Sequence, residues 1–141
     1  MDEKKLSSNP FMTNMKFLEN VQEGTEFERI LKILTVPSKS GIYISRYDIR
    51  ELGKSLGVQL PVRERKEMLK DLFIYAKQMD NLKGFIDLLI SFVDHRISQY
   101  RELQERYPKS SSLMEKWVKK AESLKTFLEN MKKEVDIYRN I

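Results

Sequence analysis

Between Leu82 and Tyr138 the chain carries two long stretches whose apolar residues recur every three or four positions, broken at Pro108. In the first, Ile86, Leu89, Val93, Tyr100, Leu103 and Tyr107 form the seam, with Arg96 its one charged position, Ile97 beside it, and Gly84 near the start. In the second, Met114, Trp117, Ala121, Leu124, Leu128, Met131, Val135 and Tyr138 alternate by three and four without a miss. Such a seam forms one face of a helix and favours left-handed, coiled-coil-like packing. At 1.5 Å of rise per residue, each helix is ~35–40 Å long. Pro108 and serines 110 to 112 make a short breaker, and Ser112 with Glu115 has the spacing of a capping box. A short break between two long helices predicts an antiparallel αα-hairpin.

The rest of the chain reads as shorter helices. Residues 1–12 are expected to be a flexible lead-in broken at Asn9-Pro10, and residues 13–141 a single α-helical domain. A first short helix is predicted from Thr13, with Met15, Phe17, Leu18 and Val21 on its apolar face and Gly24 at its end. Thr25 and Glu28 form a capping-box pattern that opens the next helix, whose face is Phe27, Ile30, Leu31 and Leu34. Pro37 and Ser38 to Gly41 are expected to end it in a loop. Ile42, Tyr43 and Ile44 favour extended backbone, but lacking a second strand they read as a connector. Ser45 and Asp48 repeat the capping pattern before Ile49, Leu52 and Leu56, and Gly57 is placed to close that helix in the left-handed conformation. Pro61 suits the first turn of a following helix that runs to about Met79, with Met68, Leu69, Leu72, Phe73, Ala76 and Met79 on its apolar face. The fold class is therefore all-α: a bundle of five or six helices with a long C-terminal antiparallel αα-hairpin.

Composition removes several chemistries. No cysteine is present, so disulfides, thiolate catalysis and cysteine-based metal sites are excluded together. The first twelve residues lack the apolar core of a signal peptide, and the most apolar stretch, Leu88 to Val93, is far short of the ~20 residues that span a bilayer. A cytoplasmic protein without a membrane partner is the expectation. The formal net charge is +5, yet 21 acidic residues are interspersed among 26 basic ones, so no single-sign field follows.

Motifs that resemble chemical sites have plainer explanations in this sequence. Gly53-Lys54-Ser55 has the tail of a phosphate loop, but the position that needs the first glycine is Asp48, and the segment reads as helix. Asp48 to Val58 resembles the first helix and turn of a helix-turn-helix. In that motif an apolar residue would follow Gly57 by six positions, where Arg63 stands. His95 is the sole histidine and lacks the partners of a di-metal or zinc-protease pattern. No metal, cofactor or catalytic residue is assigned.

Two functional expectations follow. The first is a non-catalytic protein–protein interaction module: an adaptor, a chaperone-like binder or an assembly subunit, binding a partner or a second copy of itself. Val118 and Phe127 widen the apolar stripe of the last helix beyond what one neighbour needs, and lysines rim it. Trp117, Phe127, Lys120 and Lys125 are its candidate contacts. The alternative is a nucleic-acid-binding accessory protein using a basic helical face: Arg63, Arg65, Lys66, Lys119 and Lys120.

Overall fold

The computed structural model describes residues 25–139, with side chains from 28 to 135. The lead-in over 1–12, the helix expected from Thr13, and the side chains of Thr25, Phe27 and Tyr138 lie outside the described residues. Within them the chain is all-α, with six α-helices, one 3-10 turn and no strand. The helices are α1 (Thr25–Thr35), α2 (Pro37–Ser40), α3 (Arg46–Ser55), α4 (Arg65–Gln78), α5 (Leu82–Arg106) and α6 (Ser111–Arg139). The 3-10 turn, Pro108–Ser110, joins the last two.

Helices α5 and α6 lie side by side, and their ion pairs give their relative direction. Lys132 Nζ meets Asp87 at 2.6 Å, Lys125 Nζ meets Asp94 at 2.8 Å, and Arg101 Nη1 meets Glu115 at 2.8 Å. Numbers fall along one helix as they rise along the other, so the pair is antiparallel. Ile86, Leu89 and Val93 are buried on α5, as are Ala121, Leu124, Leu128, Met131 and Val135 on α6. Each large aliphatic side chain so enclosed contributes about 1.5–3 kcal/mol relative to exposure. Towards the tip the seam opens: Leu103 is half-buried and Tyr107 is exposed. Two helices alone cannot enclose a side chain on all sides.

The shorter helices close the other end. Ile30, Leu31 and Leu34 of α1, Ile49 and Leu52 of α3, and Met68, Leu69, Leu72, Phe73 and Ala76 of α4 join one core with Phe85 and Ile86. Phe73 meets Phe85 edge-to-face, with ring centroids 4.7 Å apart. This geometry sets the positive ring edge against the negative face. In the connector, Ile42 and Ile44 are buried while Tyr43 between them is exposed.

Helix ends follow their local chemistry. The Ser45 side chain accepts from the Asp48 N–H at 3.0 Å, and Asp48 Oδ2 accepts from the Ser45 N–H at 2.9 Å, completing the expected capping box of α3. Gly57 closes α3 with φ +86°. Its N–H donates to the Lys54 carbonyl and that of Val58 to the Gly53 carbonyl, the paired bonds of a Schellman motif. Asp80, at φ +53°, closes α4 in the same way: its N–H donates to Lys77 and that of Asn81 to Ala76.

Four local expectations are corrected. Pro37 starts a helical turn instead of a loop, because its missing N–H costs nothing at the first helical position and Gly41 accepts the left-handed closure. Pro61 does not open α4, which begins at Arg65. Leu60 is buried, and Glu64 is extended at φ −63°, ψ 145°. Ser112 is not a cap, since the 3-10 turn delivers Ser111 already in helical conformation, and Glu115 instead accepts from Arg101 and Gln104. Met79 caps α4 and is exposed, having passed beyond the buried face.

Candidate docking face

Helix α2 and the connector are fastened to the hairpin at close range. Tyr100 Oη donates to the Gly41 carbonyl at 2.6 Å, and Lys120 Nζ donates to the Ser38 carbonyl at 2.8 Å. Gly41 lies so near α6 that a Cβ there would sit 2.5 Å from the Trp117 carbonyl oxygen and 2.8 Å from the Ala121 nitrogen. Asp48 Oδ2, already in the α3 cap, also accepts from Arg96 Nη2 at 3.2 Å. Burial pushes the Tyr100 phenol above its ordinary value. These contacts fix where the connector turns away from the hairpin.

Beyond that turn a cleft of about 400 Å³ opens, lined by Thr35, Tyr43, Arg46, Glu64, Arg65 and Lys66. Three cations and one carboxylate surround it, and the cations differ in what they already hold. Arg65 donates from Nη1 to the Ile44 carbonyl at 2.9 Å and from Nη2 to the Thr35 carbonyl at 3.1 Å, with its guanidinium 4.6 Å from the Tyr43 ring centroid. Lys66 pairs with Glu28 at 2.5 Å. Their hydrogen bond lowers the Glu28 carboxyl and raises the Lys66 ammonium relative to their ordinary values. Arg46 donates from Nε to the Arg63 carbonyl at 2.8 Å. Among the described residues its two Nη atoms meet no acceptor.

Exposed apolar side chains stand in the cleft lining and next to it in the sequence. Tyr43 lines it and is 54% exposed, and Tyr47, next to Arg46 on the first turn of α3, is 70% exposed. Val62, 62% exposed, precedes Arg63, whose carbonyl holds Arg46. The tip of the hairpin shows a smaller pair, Tyr107 and Leu113.

The candidate contacts on α6 are engaged within the chain. Trp117 is half-buried beside Gly41, with Lys120 Nζ 5.1 Å from its ring centroid. Phe127 is half-buried against the core, and Val118 is fully buried. Lys125 pairs with Asp94, and that hydrogen bond raises its ammonium above the ordinary value. The alternative set lies on α6 and around the start of α4. Arg63 pairs with Asp71 at 2.8 Å and Glu67 at 3.4 Å, while Arg65 and Lys66 line the cleft. Lys119 is exposed on α6, away from them in the chain.

Sequence reasoning missed Tyr43, Arg46, Tyr47 and Val62. Tyr43 had a usable signal, since alternation in Ile42-Tyr43-Ile44 turns the middle residue outward once its neighbours are buried. Tyr47 lies off the Ile49–Leu52 face of α3. Nothing local marked Arg46 or Val62.

Among the described residues no three histidine, aspartate or glutamate side chains gather as a metal site, and no helix is long and apolar enough to cross a membrane. Comparison of the chain with protein-family models, curated proteins and solved structures returns no match.

Proposed function

We propose that the chain is a non-catalytic binding module, a helical bundle with the α5–α6 hairpin as its spine. It docks a partner protein through the face around Tyr43, Tyr47 and Val62. The observation that carries this reading is the exposed ring of Tyr43 in a cleft it lines with Arg46 and Arg65, with Tyr47 and Val62 exposed nearby in the sequence. Tyrosine and arginine are enriched among the residues that dominate interface energies, and an aromatic ring gives large contact area at small entropic cost. Helix α6 then serves as scaffold, its lysines at 120 and 125 being held by Ser38 and Asp94.

The test is site-specific photocrosslinking. A benzoylphenylalanine at position 47 should give one discrete protein adduct in a lysate of the source cells, identified by mass spectrometry. The same group at position 130, exposed on α6, should give none. Equal labelling from both positions, or none from either, refutes the docking face.

A second reading has one observation in its favour: tyrosines beside arginines also suit stacking on single-stranded nucleic acid. Against it, Arg63 and Lys66 are paired with carboxylates. Binding to a single-stranded oligonucleotide that strengthens steeply at low salt would support it.

A further inference from the structure

We infer that the cleft receives a side-chain carboxylate from an acidic, apolar-flanked segment of the docked partner, gripped by the Arg46 guanidinium. This rests on the docking reading and adds the chemistry of what is docked.

The cations of the cleft differ in what they already hold. Arg65 holds two backbone carbonyls and supports the cleft floor. Lys66 is neutralised by Glu28. Arg46 is anchored by its Nε, which fixes the plane of the guanidinium, while its Nη pair meets no acceptor among the described residues. A planar fork held in this way suits the two oxygens of a carboxylate, which it binds through parallel N–H···O bonds. Fixing Nε beforehand also removes part of the side-chain entropy that binding would otherwise cost.

The charge count selects the ligand class. One open guanidinium matches one carboxylate. A nucleic-acid backbone needs several cations in a row, but Arg63 is held by Asp71 and Glu67, and Glu64 itself lines the cleft. By charge, Glu64 in the lining offsets one of the three cations and Glu28 offsets Lys66, leaving one net positive charge for an acid. Tyr43, which lines the cleft and is exposed, supplies apolar surface for a residue flanking the acid. The partner segment is thus an acidic residue with aliphatic or aromatic neighbours.

The test uses the full chain, labelled with nitrogen-15, and three probes: a blocked peptide of alternating glutamate and leucine, its glutamine counterpart, and a single-stranded oligothymidine of equal length. The glutamate peptide should shift the amides of Tyr43, Arg46, Arg65 and Lys66, and the glutamine peptide should bind at least fivefold more weakly. Arg46→Gln should weaken the glutamate peptide about tenfold while the rest of the spectrum stays in place, which certifies folding. Arg46→Lys, which keeps the charge and loses the fork, should fall between the two. Equal binding of the two peptides, shifts confined to other residues, or an Arg46→Gln variant that binds as well as the parent each overturn the inference. Tighter binding of the oligothymidine overturns it in favour of nucleic acid. The two proposals can fail separately. If the position-47 adduct forms undiminished in the Arg46→Gln background, docking stands and the carboxylate grip falls. If position 47 gives no adduct, the docking reading itself has failed.

Discussion

Two glycines with nearly the same backbone conformation make a matched pair that isolates one contact. Gly41 has φ +80° and Gly57 has φ +86°. An alanine at either position suffers the left-handed penalty of about 1–2 kcal/mol. At Gly57 the new methyl meets nothing within 4 Å, so that penalty is the whole effect. At Gly41 it would lie 2.5 Å from the Trp117 carbonyl oxygen and 2.8 Å from the Ala121 nitrogen, both backbone atoms of α6 that cannot rotate away. Relief requires moving the connector off the hairpin, an overpacking cost of roughly 1–3 kcal/mol. Gly41→Ala should therefore lose about 2–5 kcal/mol and Gly57→Ala about 1–2 kcal/mol. With a urea slope near 2 kcal/mol per molar, the midpoints fall by ~1–2.5 M and ~0.5–1 M. The assay has a built-in reporter: the ring of the chain's single tryptophan, Trp117, has its centroid 5.1 Å from Lys120 Nζ, which holds the Ser38 carbonyl of α2. Its emission in the native baseline should change in Gly41→Ala and stay constant in Gly57→Ala. Equal midpoint shifts with unchanged emission would refute the close approach of the connector to α6.

Other perturbations read the same fastening. Asp48→Asn keeps an acceptor for the Ser45 N–H but removes the charge facing Arg96, and should cost about 1 kcal/mol in urea denaturation. Asp48→Ala should cost about 1 kcal/mol more, since the bond from the Ser45 N–H is lost too. Tyr100→Phe removes the donor to the Gly41 carbonyl and should cost about 1 kcal/mol near neutral pH. Burial raises the Tyr100 phenol above 10.0, so its contribution is full below that pH and fades as pH rises through the folded value. Melting temperatures of the parent should drop faster than those of Tyr100→Phe across that alkaline range. Glu115 has the opposite sign. Hydrogen bonds from Gln104 and Arg101 lower its carboxyl below 4.5, so its contribution is present above that pH and is lost as pH falls through the folded value. Glu115→Gln should flatten the acid limb of a stability-against-pH curve, and an unchanged limb would count against the Arg101–Gln104–Glu115 cluster.

How much was legible in the sequence depended on how local each cause was. The hairpin seam could be read because burial on α6 repeats with the helix period at Ala121, Leu124, Leu128, Met131 and Val135. The Ser45–Asp48 cap and the Gly57 closure were legible too, since each is settled within a few residues. Boundaries set by distant partners were not. Where α4 begins depends on Leu60 reaching the core and on Arg46 holding the Arg63 carbonyl, a contact across seventeen positions. What covers the wide apolar stripe of α6 was not legible for a related reason. Trp117 has the turn around Gly41 beside it, and that turn is held by Tyr100 and Lys120, some 60 to 80 residues away. The cleft joins the ends of α1, α3 and α4, and no spacing rule links Thr35, Tyr43, Arg46 and Arg65.

The placement of charge carries the argument about function one step further. A net charge of +5 suggests a basic face only if the cations act together. In the folded chain most of the candidate cations are tied down one at a time: Lys120 by a carbonyl, Lys125 and Lys66 by carboxylates, and Arg63 by two carboxylates. Solvent-exposed pairs of this kind contribute at most ~1 kcal/mol each to stability, and they leave the net charge of +5 unchanged. If, as proposed, a partner docks at Arg46, affinity depends on a single well-placed acid. Recognition on that plan should weaken only mildly with salt, because few counterions are released, whereas binding along a stripe of phosphates weakens by orders of magnitude.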